Sequence, residues 1–265
     1  VAQPMTFFSQ LKSFSSRILT PKLAPYVLEG LFPNYCLLCG LRSYRDFALC
    51  HPCKSGLAAN DVCCIQCALP MPRPLSNRRG GRRALCGQCL LSPPPFDRVV
   101  APWLYDEQIA FLIHRWKFHG ERQLTPLLAH LWLEKFSQNP QPIDVIVPVP
   151  LHWRKFWQRG FNQSEILAAA LRGQCKALQS VRLSPGLVQR HQATLPQSSL
   201  PALARKTNLI AAFTARQRCD NLRIAVVDDV LTTGATAAAM AATLRDAGAA
   251  HIEIWCLART PAPNN

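Results

Sequence analysis

Residues 226–236 read VVDDVLTTGAT. The apolar run before the acids, LRIAVV, stops abruptly at Asp228 and Asp229, and an alanine-rich stretch, AAAMAATLRDAG, follows the threonines. The first segment has the length and character of a buried strand, the second those of a helix. Carboxyl ends of strands are where open α/β sheets bind ligands. Between strand and helix, Thr232, Thr233, Gly234, Ala235 and Thr236 form a turn of small residues. Small residues let backbone N–H groups approach a phosphate, and the first helical turn and its dipole favour that anion. The two carboxylates can instead accept hydrogen bonds from neutral hydroxyls, as on a ribose. One stretch thus offers acceptors for a sugar and donors for its phosphate. A plain helix cap is the simpler alternative. Neither G-x-x-x-x-G-K-[ST] nor G-x-G-x-x-G occurs in the chain, which argues against a P-loop or a dinucleotide fold.

Outward from this stretch the pattern alternates. Strands are expected at 98–105, 143–150, 222–229 and 251–258, and helices at 109–118, 124–136, 161–173 and 233–248. Asn162 followed by Glu165 is a plausible capping arrangement for the third helix. Strands alternating with helices imply βαβ units, so the fold class is α/β with a parallel sheet. Residues 184–208 have weak periodicity and read as a long mobile loop, a kind that is usually functional or disordered.

Nine of the twelve cysteines lie between residues 36 and 89. Eight form C-x-x-C units: Cys36 with Cys39, Cys50 with Cys53, Cys64 with Cys67, and Cys86 with Cys89. Two such knuckles complete a tetrahedral four-sulfur site, so four supply two structural zinc ions. Sequential pairing of the knuckles is simplest, interleaving is open, and iron in place of zinc is chemically allowed. Cys63 is read as a spectator, and Cys175, Cys219 and Cys256 as isolated core or surface residues. The prolines of SPPPFD, residues 92–97, suggest a semi-rigid linker. The organisation expected is a lead-in over 1–32, a small zinc-binding module over 33–93, an α/β domain over 94–260 and a tail over 261–265.

Thirty Lys and Arg against fifteen Asp and Glu give a net charge of +15, which favours anionic partners without choosing among them. Arg78, Arg79, Arg82 and Arg83 cluster between the third and fourth cysteine pairs, where they can grip phosphates or form a solvated loop. No run of 18 apolar residues occurs, so no membrane insertion is expected. The lead-in lacks a continuous apolar core and a small-residue cleavage site. A cytoplasmic location is expected, where so many cysteines point to metal rather than disulfides.

VVDDVLTTGAT closely resembles the motif by which type I phosphoribosyltransferases bind PRPP, 5-phosphoribosyl 1-diphosphate. The wider chain resembles one subgroup, the ComF/GntX family of bacterial proteins. PVPLHWRKFWQRGFNQS matches its phosphate-side segment, IHRWKFHG its short helix motif, and the four cysteine pairs its zinc region. Arg190, Thr194, Gln197, Arg205, Asn208 and Phe213 match its central signature. The resemblance spans roughly residues 33–260. It implies a phosphoribosyltransferase fold, with Asp228 and Asp229 on the ribose hydroxyls and Thr232, Thr233, Gly234, Ala235 and Thr236 on the 5′-phosphate. Arg159 and Gly160 would lie near the diphosphate, Mg2+ would bridge ligand oxygens, and Arg190 and Arg205 would neutralise the leaving group. Purine-specific relatives carry an acid where this loop has Thr232, which weakens a purine-salvage reading. It also leaves no evident general base, with His114, His119, His152 and His191 the candidates. The resemblance further implies a role in competence, with single-stranded DNA and a competence helicase as partners. A non-catalytic PRPP sensor is the third reading.

Overall fold

A computed structural model describes residues 34–43, 47–72, 84–136, 142–151, 153–191 and 212–262. The chain divides into two compact units, Val1–Gly56 and Leu57–Asn265. The smaller contains the first cysteine knuckles and a short helix, α1 (His51–Ser55). The larger contains the later knuckles, the helix α2 (Gly87–Leu91) and all the described strands.

The larger unit is built on a five-stranded parallel sheet. Its strands are β1 (Arg98–Val100), β9 (His251–Trp255), β7 (Arg223–Val227), β3 (Val145–Pro148) and β4 (Arg182–Leu183), in that order. A three-stranded parallel sheet, β2 (Trp103–Leu104), β10 (Ala258–Arg259) and β8 (Val230–Leu231), repeats the order of the first three. Each of these strands is separated by two residues from the end of its predecessor in the larger sheet. Three neighbouring strands therefore pause at the same level, and Asp228–Asp229 is the pause in the third. The backbone ladder runs through it: Asp228 N–H donates to Trp255 O at 2.8 Å and Leu257 N–H to Asp229 O at 2.9 Å.

The central strands are mostly apolar on both faces because both are covered, as parallel sheets require, with buried Glu253 of β9 accepting from the Trp255 indole N–H at 2.8 Å. Ile224, Ala225, Val226 and Val227 are all fully buried, as are Ile252, Ile254 and Trp255. Helix α3 (Glu107–Phe118) starts where Asp106 accepts from Ile109 N–H at 2.9 Å, and it buries Ile109, Leu112, Ile113 and Trp116 at helical spacing. A 3-10 turn (Arg122–Leu124) leads into α4 (Thr125–Phe136), whose Trp132 packs on Trp255 and donates its indole N–H to Cys256 O. Burying a large side chain of this kind stabilises the fold by about 1.5–3 kcal/mol.

After β3 come α5 (Trp153–Arg159) and α6 (Gln163–Gln174). Asn162 caps α6 as its sequence position suggests: the side-chain oxygen accepts from Ser164 N–H at 3.1 Å, while its amide donates to Val149 O at 3.1 Å. The cap thereby fixes the start of α6 to the end of β3. Helix α7 (Ala235–Asp246) follows the threonine turn, and its small residues let it lie close against the sheet core. It ends near Gly248, whose φ is +102° and where any Cβ would collide with the Asp220 carboxylate.

Two outcomes differ from the pattern of the sequence. Part of the stretch read as a loop forms β5 (Val188–Arg190), which pairs antiparallel with β6 (Phe213–Ala215). Strands of three residues carry too little alternation to stand out. The Pro-rich segment 92–97 packs: Phe96 is buried, and Asp97 accepts from Ile252 N–H at 2.7 Å. The remainder of 184–208 from residue 192 on, and the arginine cluster at 78–83, lie outside the described residues.

Candidate functional site

The pause between β7 and β8 places two carboxylates side by side. Asp228 Oδ1 accepts from Asp229 N–H at 2.9 Å and from the Ser164 hydroxyl at 3.3 Å. Asp229 Oδ1 accepts from Val230 N–H at 2.6 Å, and its Oδ2 pairs with Lys117 Nζ at 2.7 Å. Burial first, and the charge of Asp229 second, push the Asp228 carboxyl up to about 7, against the pull of its backbone bond, Lys117 and Ser164. One acid of the pair is therefore poised near its midpoint at neutral pH. Arg190, at the end of β5, is held below its usual range by burial while the charge of Asp228 draws it back up. Its guanidinium lies over the Phe213 ring at 5.4 Å. Groups from three separate elements thus act on the acids: Lys117 from α3, Ser164 from the first turn of α6, and Arg190 from β5.

The turn that follows has the expected form. Thr232 and Thr233 are exposed, and Gly234 takes a left-handed φ of +80° as the N-cap of α7. Ala235 and Thr236 are the first two helical residues, and Thr233 Oγ1 accepts from Ala235 N–H at 3.4 Å. Beneath the turn lies Arg259, a buried residue of β10. Its Nη1 donates to Leu231 O and Thr260 O, each at 3.0 Å, and to Thr232 O; its Nε donates to Cys67 O at 3.3 Å. Burial depresses the Arg259 pKa, and nearby thiols, Cys67 first, oppose that.

Arg159 and Gly160 stand beside the end of α3. The Arg159 guanidinium lies 4.7 Å from the Phe118 ring, and Gly160 O accepts from Arg122 at 3.0 Å. His114 packs against Phe118 and His119, and His191 pairs through its backbone with Ala212. Arg205, His152, Thr194, Gln197 and Asn208 lie outside the described residues. A cavity of about 480 Å³ opens elsewhere, between β6 and the end of α7, and contains neither acid. Lys117, Ser164 and Arg259 were missed as site residues. Lys117 and Ser164 fall inside segments already singled out, IHRWKFHG and RGFNQS, but nothing in their spacing points to an aspartate far along the chain.

The cysteines assemble as two quartets in sequential pairing. Cys36, Cys39, Cys50 and Cys53 form one and Cys64, Cys67, Cys86 and Cys89 the other, each with its sulfurs within 4.8 Å of one another. Cys39 and Cys50 Sγ stand 3.7 Å apart, and Cys67 and Cys86 Sγ 3.6 Å. A tetrahedral ion with bonds of about 2.3 Å needs edges near 3.8 Å, so the donors fit zinc. Burial raises the Cys36 thiol, yet N–H donors of Cys50, Cys39 and Leu38 outweigh it and leave its pKa at about 6. Cys64 is brought to about 7 in the same way, by Cys67, Cys86 and Gln66. Cys63 stays outside the quartets, its backbone bridged to Pro70.

The double zinc ribbon domain profile matches residues 27–90. DNA utilization protein YhgH of Salmonella typhimurium is 34% identical over 86% of this chain and 98% of its own length. Competence protein F of Haemophilus influenzae is 34% identical over 66% of this chain and 78% of its own. Among solved structures, a purine phosphoribosyltransferase from Pyrococcus horikoshii covers 54% of this chain and 75% of its own at 20% identity, with a TM-score of 0.30, too slight a likeness to argue from. No helix among the described residues is long and apolar enough to cross a membrane. Two four-cysteine zinc sites ahead of a parallel α/β sheet, with 34% identity sustained along 98% of the Salmonella relative, place the chain in the ComF family of competence and DNA-utilization proteins.

Proposed function

We propose that the chain binds Mg-PRPP at the pause between β7 and β8 and transfers its phosphoribosyl group to an acceptor. The observation that carries this reading is the adjacency of the two carboxylates to the Gly234-capped start of α7. Ribose hydroxyls donate to Asp228 and Asp229, and the 5′-phosphate accepts from the first N–H groups of α7 and the threonine hydroxyls. Mg2+, held largely by ligand oxygens and water, would offset the charge of the diphosphate. The acceptor's nucleophilic atom bonds to the anomeric carbon as the bond to the diphosphate oxygen breaks, and that oxygen leaves with the electron pair. Arg190, on which the charge of Asp228 acts, would neutralise charge on the leaving group, with Arg159 and Arg205 proposed in the same role. The proton lost by the acceptor goes to solvent or to a histidine, since Thr232 cannot take it.

Calorimetry of the zinc-loaded protein with PRPP and Mg2+ tests the binding step. Heat is expected from the native chain and none from Asp228→Asn with Asp229→Asn. Diphosphate release against a panel of nucleobases and amines tests turnover. Binding without release under every condition would leave a PRPP sensor in place of a transferase.

A second reading is favoured by a separate surface. Trp153, Phe156 and Trp157 of α5 are 61%, 47% and 80% exposed, and Phe118 nearby is 59% exposed beneath Arg159. Exposed rings interleaved with cations are the makings of a single-stranded nucleic-acid platform, consistent with the naming of the relatives for DNA utilization and competence. In this reading the chain is an adaptor for single-stranded DNA or a competence helicase. Salt-sensitive quenching of tryptophan fluorescence by oligothymidylate, lost in Trp157→Ala, is the expected result; no quenching at low salt removes the reading.

A further inference from the structure

We propose that Arg259 is a positioning residue that couples the second zinc quartet to the phosphate end of the site, so that zinc there, but not zinc in the first quartet, sets affinity for the sugar phosphate. The proposal rests on the sugar-phosphate reading above.

The second knuckle is part of the sheet's own framework. Ala68, the residue after Cys67, is 1% exposed and belongs to the main core cluster. Asn60 donates to Ala68 O at 2.9 Å and to Ala101 O at 3.1 Å, and Gln66 donates to Phe96 O at 3.2 Å. These bonds fix the knuckle against the residues on either side of β1. From there the side chain of Arg259 extends to the threonine turn. One edge of its guanidinium holds the Cys67 carbonyl; the other holds the carbonyls of Leu231 and Thr232. A planar guanidinium donates in two directions at fixed angles, which the single point charge of a lysine cannot do. Fixing those carbonyls fixes the peptide planes that lead into the N–H groups of Thr233, Gly234 and Ala235.

Zinc closes the knuckle by binding Cys64 and Cys67, and so holds the Cys67 carbonyl in place. A zinc ion with four thiolates carries a net charge of about −2. The buried cation of Arg259 then lies between that anion and the incoming phosphate. Without the metal the Cys67 carbonyl is held less firmly, and the guanidinium that bridges it to the turn is less firmly fixed in turn. Coupling between two binding events is reciprocal, so a bound sugar phosphate must also retain this zinc.

The experiment uses the full zinc-loaded chain and a chromogenic chelator, with and without saturating ribose 5-phosphate. Zinc release is expected in two phases, one per quartet. Cys36→Ser with Cys39→Ser removes one phase and identifies the other as the second quartet. Ribose 5-phosphate should slow the second-quartet phase about fivefold or more and leave the first unchanged. In Arg259→Lys that protection should vanish and calorimetric affinity for ribose 5-phosphate fall about tenfold, with both zinc ions still bound. Equal protection of both phases, or of neither, overturns the proposal, as does an Arg259→Lys protein that keeps affinity and protection. Should Arg259→Lys not fold, the native release curves decide alone. No heat with ribose 5-phosphate in the native protein sinks the sugar-phosphate reading and this coupling together; heat without selective protection sinks the coupling only.

Discussion

The two cysteine quartets share one local design and differ in what surrounds it. In each, the N–H of the first cysteine folds back to a carbonyl five residues on, Cys36 to Leu41 at 2.7 Å and Cys64 to Leu69 at 2.9 Å. In each, the residue after the second cysteine has positive φ, +73° at Gly40 and +54° at Ala68. In each, the third cysteine caps a five-residue helix, Cys50 before α1 and Cys86 before α2. Gly40 is exposed, with nothing within 4 Å of an added Cβ, whereas the methyl of Ala68 is part of the main core. The first knuckle bonds to Leu41, Ala48 and its own turn; the second bonds to Phe96 before β1 and to Arg259 of β10, and is tied through Asn60 to Ala101 after β1. The same metal chemistry serves, in one case, the smaller unit, whose described residues bury little apolar side chain beyond Leu49 and two of the cysteines. In the other it is built into the sheet that positions the acid pair.

The widest gap between the two should appear on removal of ligands. Cys64→Ser with Cys67→Ser is expected to lower the melting temperature of the larger unit by more than about 10 °C, since structural zinc is worth on the order of 10 kcal/mol. Cys36→Ser with Cys39→Ser should leave that transition within about 2 °C. Differential scanning calorimetry measures both, and equal losses would erase the distinction.

The second contrast is in pH. Asp228 is raised from an ordinary value of 3.8 to about 7. Between those values the folded larger unit holds a proton that the unfolded chain has lost, so its stability falls as pH rises and levels off above about 7. Asp228→Asn should therefore stabilise the larger unit by on the order of 2 kcal/mol at pH 7.5, with the gain shrinking toward pH 4. The zinc of the first quartet should follow the opposite slope, because its thiols must lose protons to ligate. Urea titrations at several pH values, alongside zinc competition, would reveal a common slope if the regions were in fact alike.

The smallest effects probe the two positive-φ residues. Gly40→Ala gains no contact and should cost about 1 kcal/mol in zinc affinity at the first quartet. Ala68→Gly relieves strain of the same size but loses a buried methyl worth about 0.8 kcal/mol. Its net effect on urea unfolding should lie within about 0.5 kcal/mol of zero.

What was legible in the sequence was local. The strand end, the acids, the small-residue turn and the C-x-x-C pairs each declare themselves within a dozen residues. The Asn162 cap is similarly short-range. The partners of these groups were not legible, because the sheet order brings them in from afar. Ser164 reaches Asp228 across 64 residues and Arg259 reaches Cys67 across 192. Lys117 sits on a helix whose apolar face accounts fully for its pattern, so its amphipathic spacing says nothing about an ion pair with Asp229. Sequential pairing of the knuckles was one of two options until the sulfurs were placed. The Pro-rich stretch misled because composition registers stiffness and cannot register that Phe96 is buried.

The shared pause in three strands has a geometric consequence of its own. Along an unbroken strand, neighbouring side chains alternate between faces, and two consecutive acids would serve opposite sides of the sheet. At the two-residue gap each acid meets a different helix, Asp228 meeting Ser164 on α6 and Asp229 meeting Lys117 on α3. The gap in β7–β8 consists of the two acids themselves, so shortening it by one residue would remove a carboxylate outright. The spacing of the gap is therefore as much a part of the recognition chemistry as the carboxylates, and a transplant of the motif into another sheet would have to carry it along.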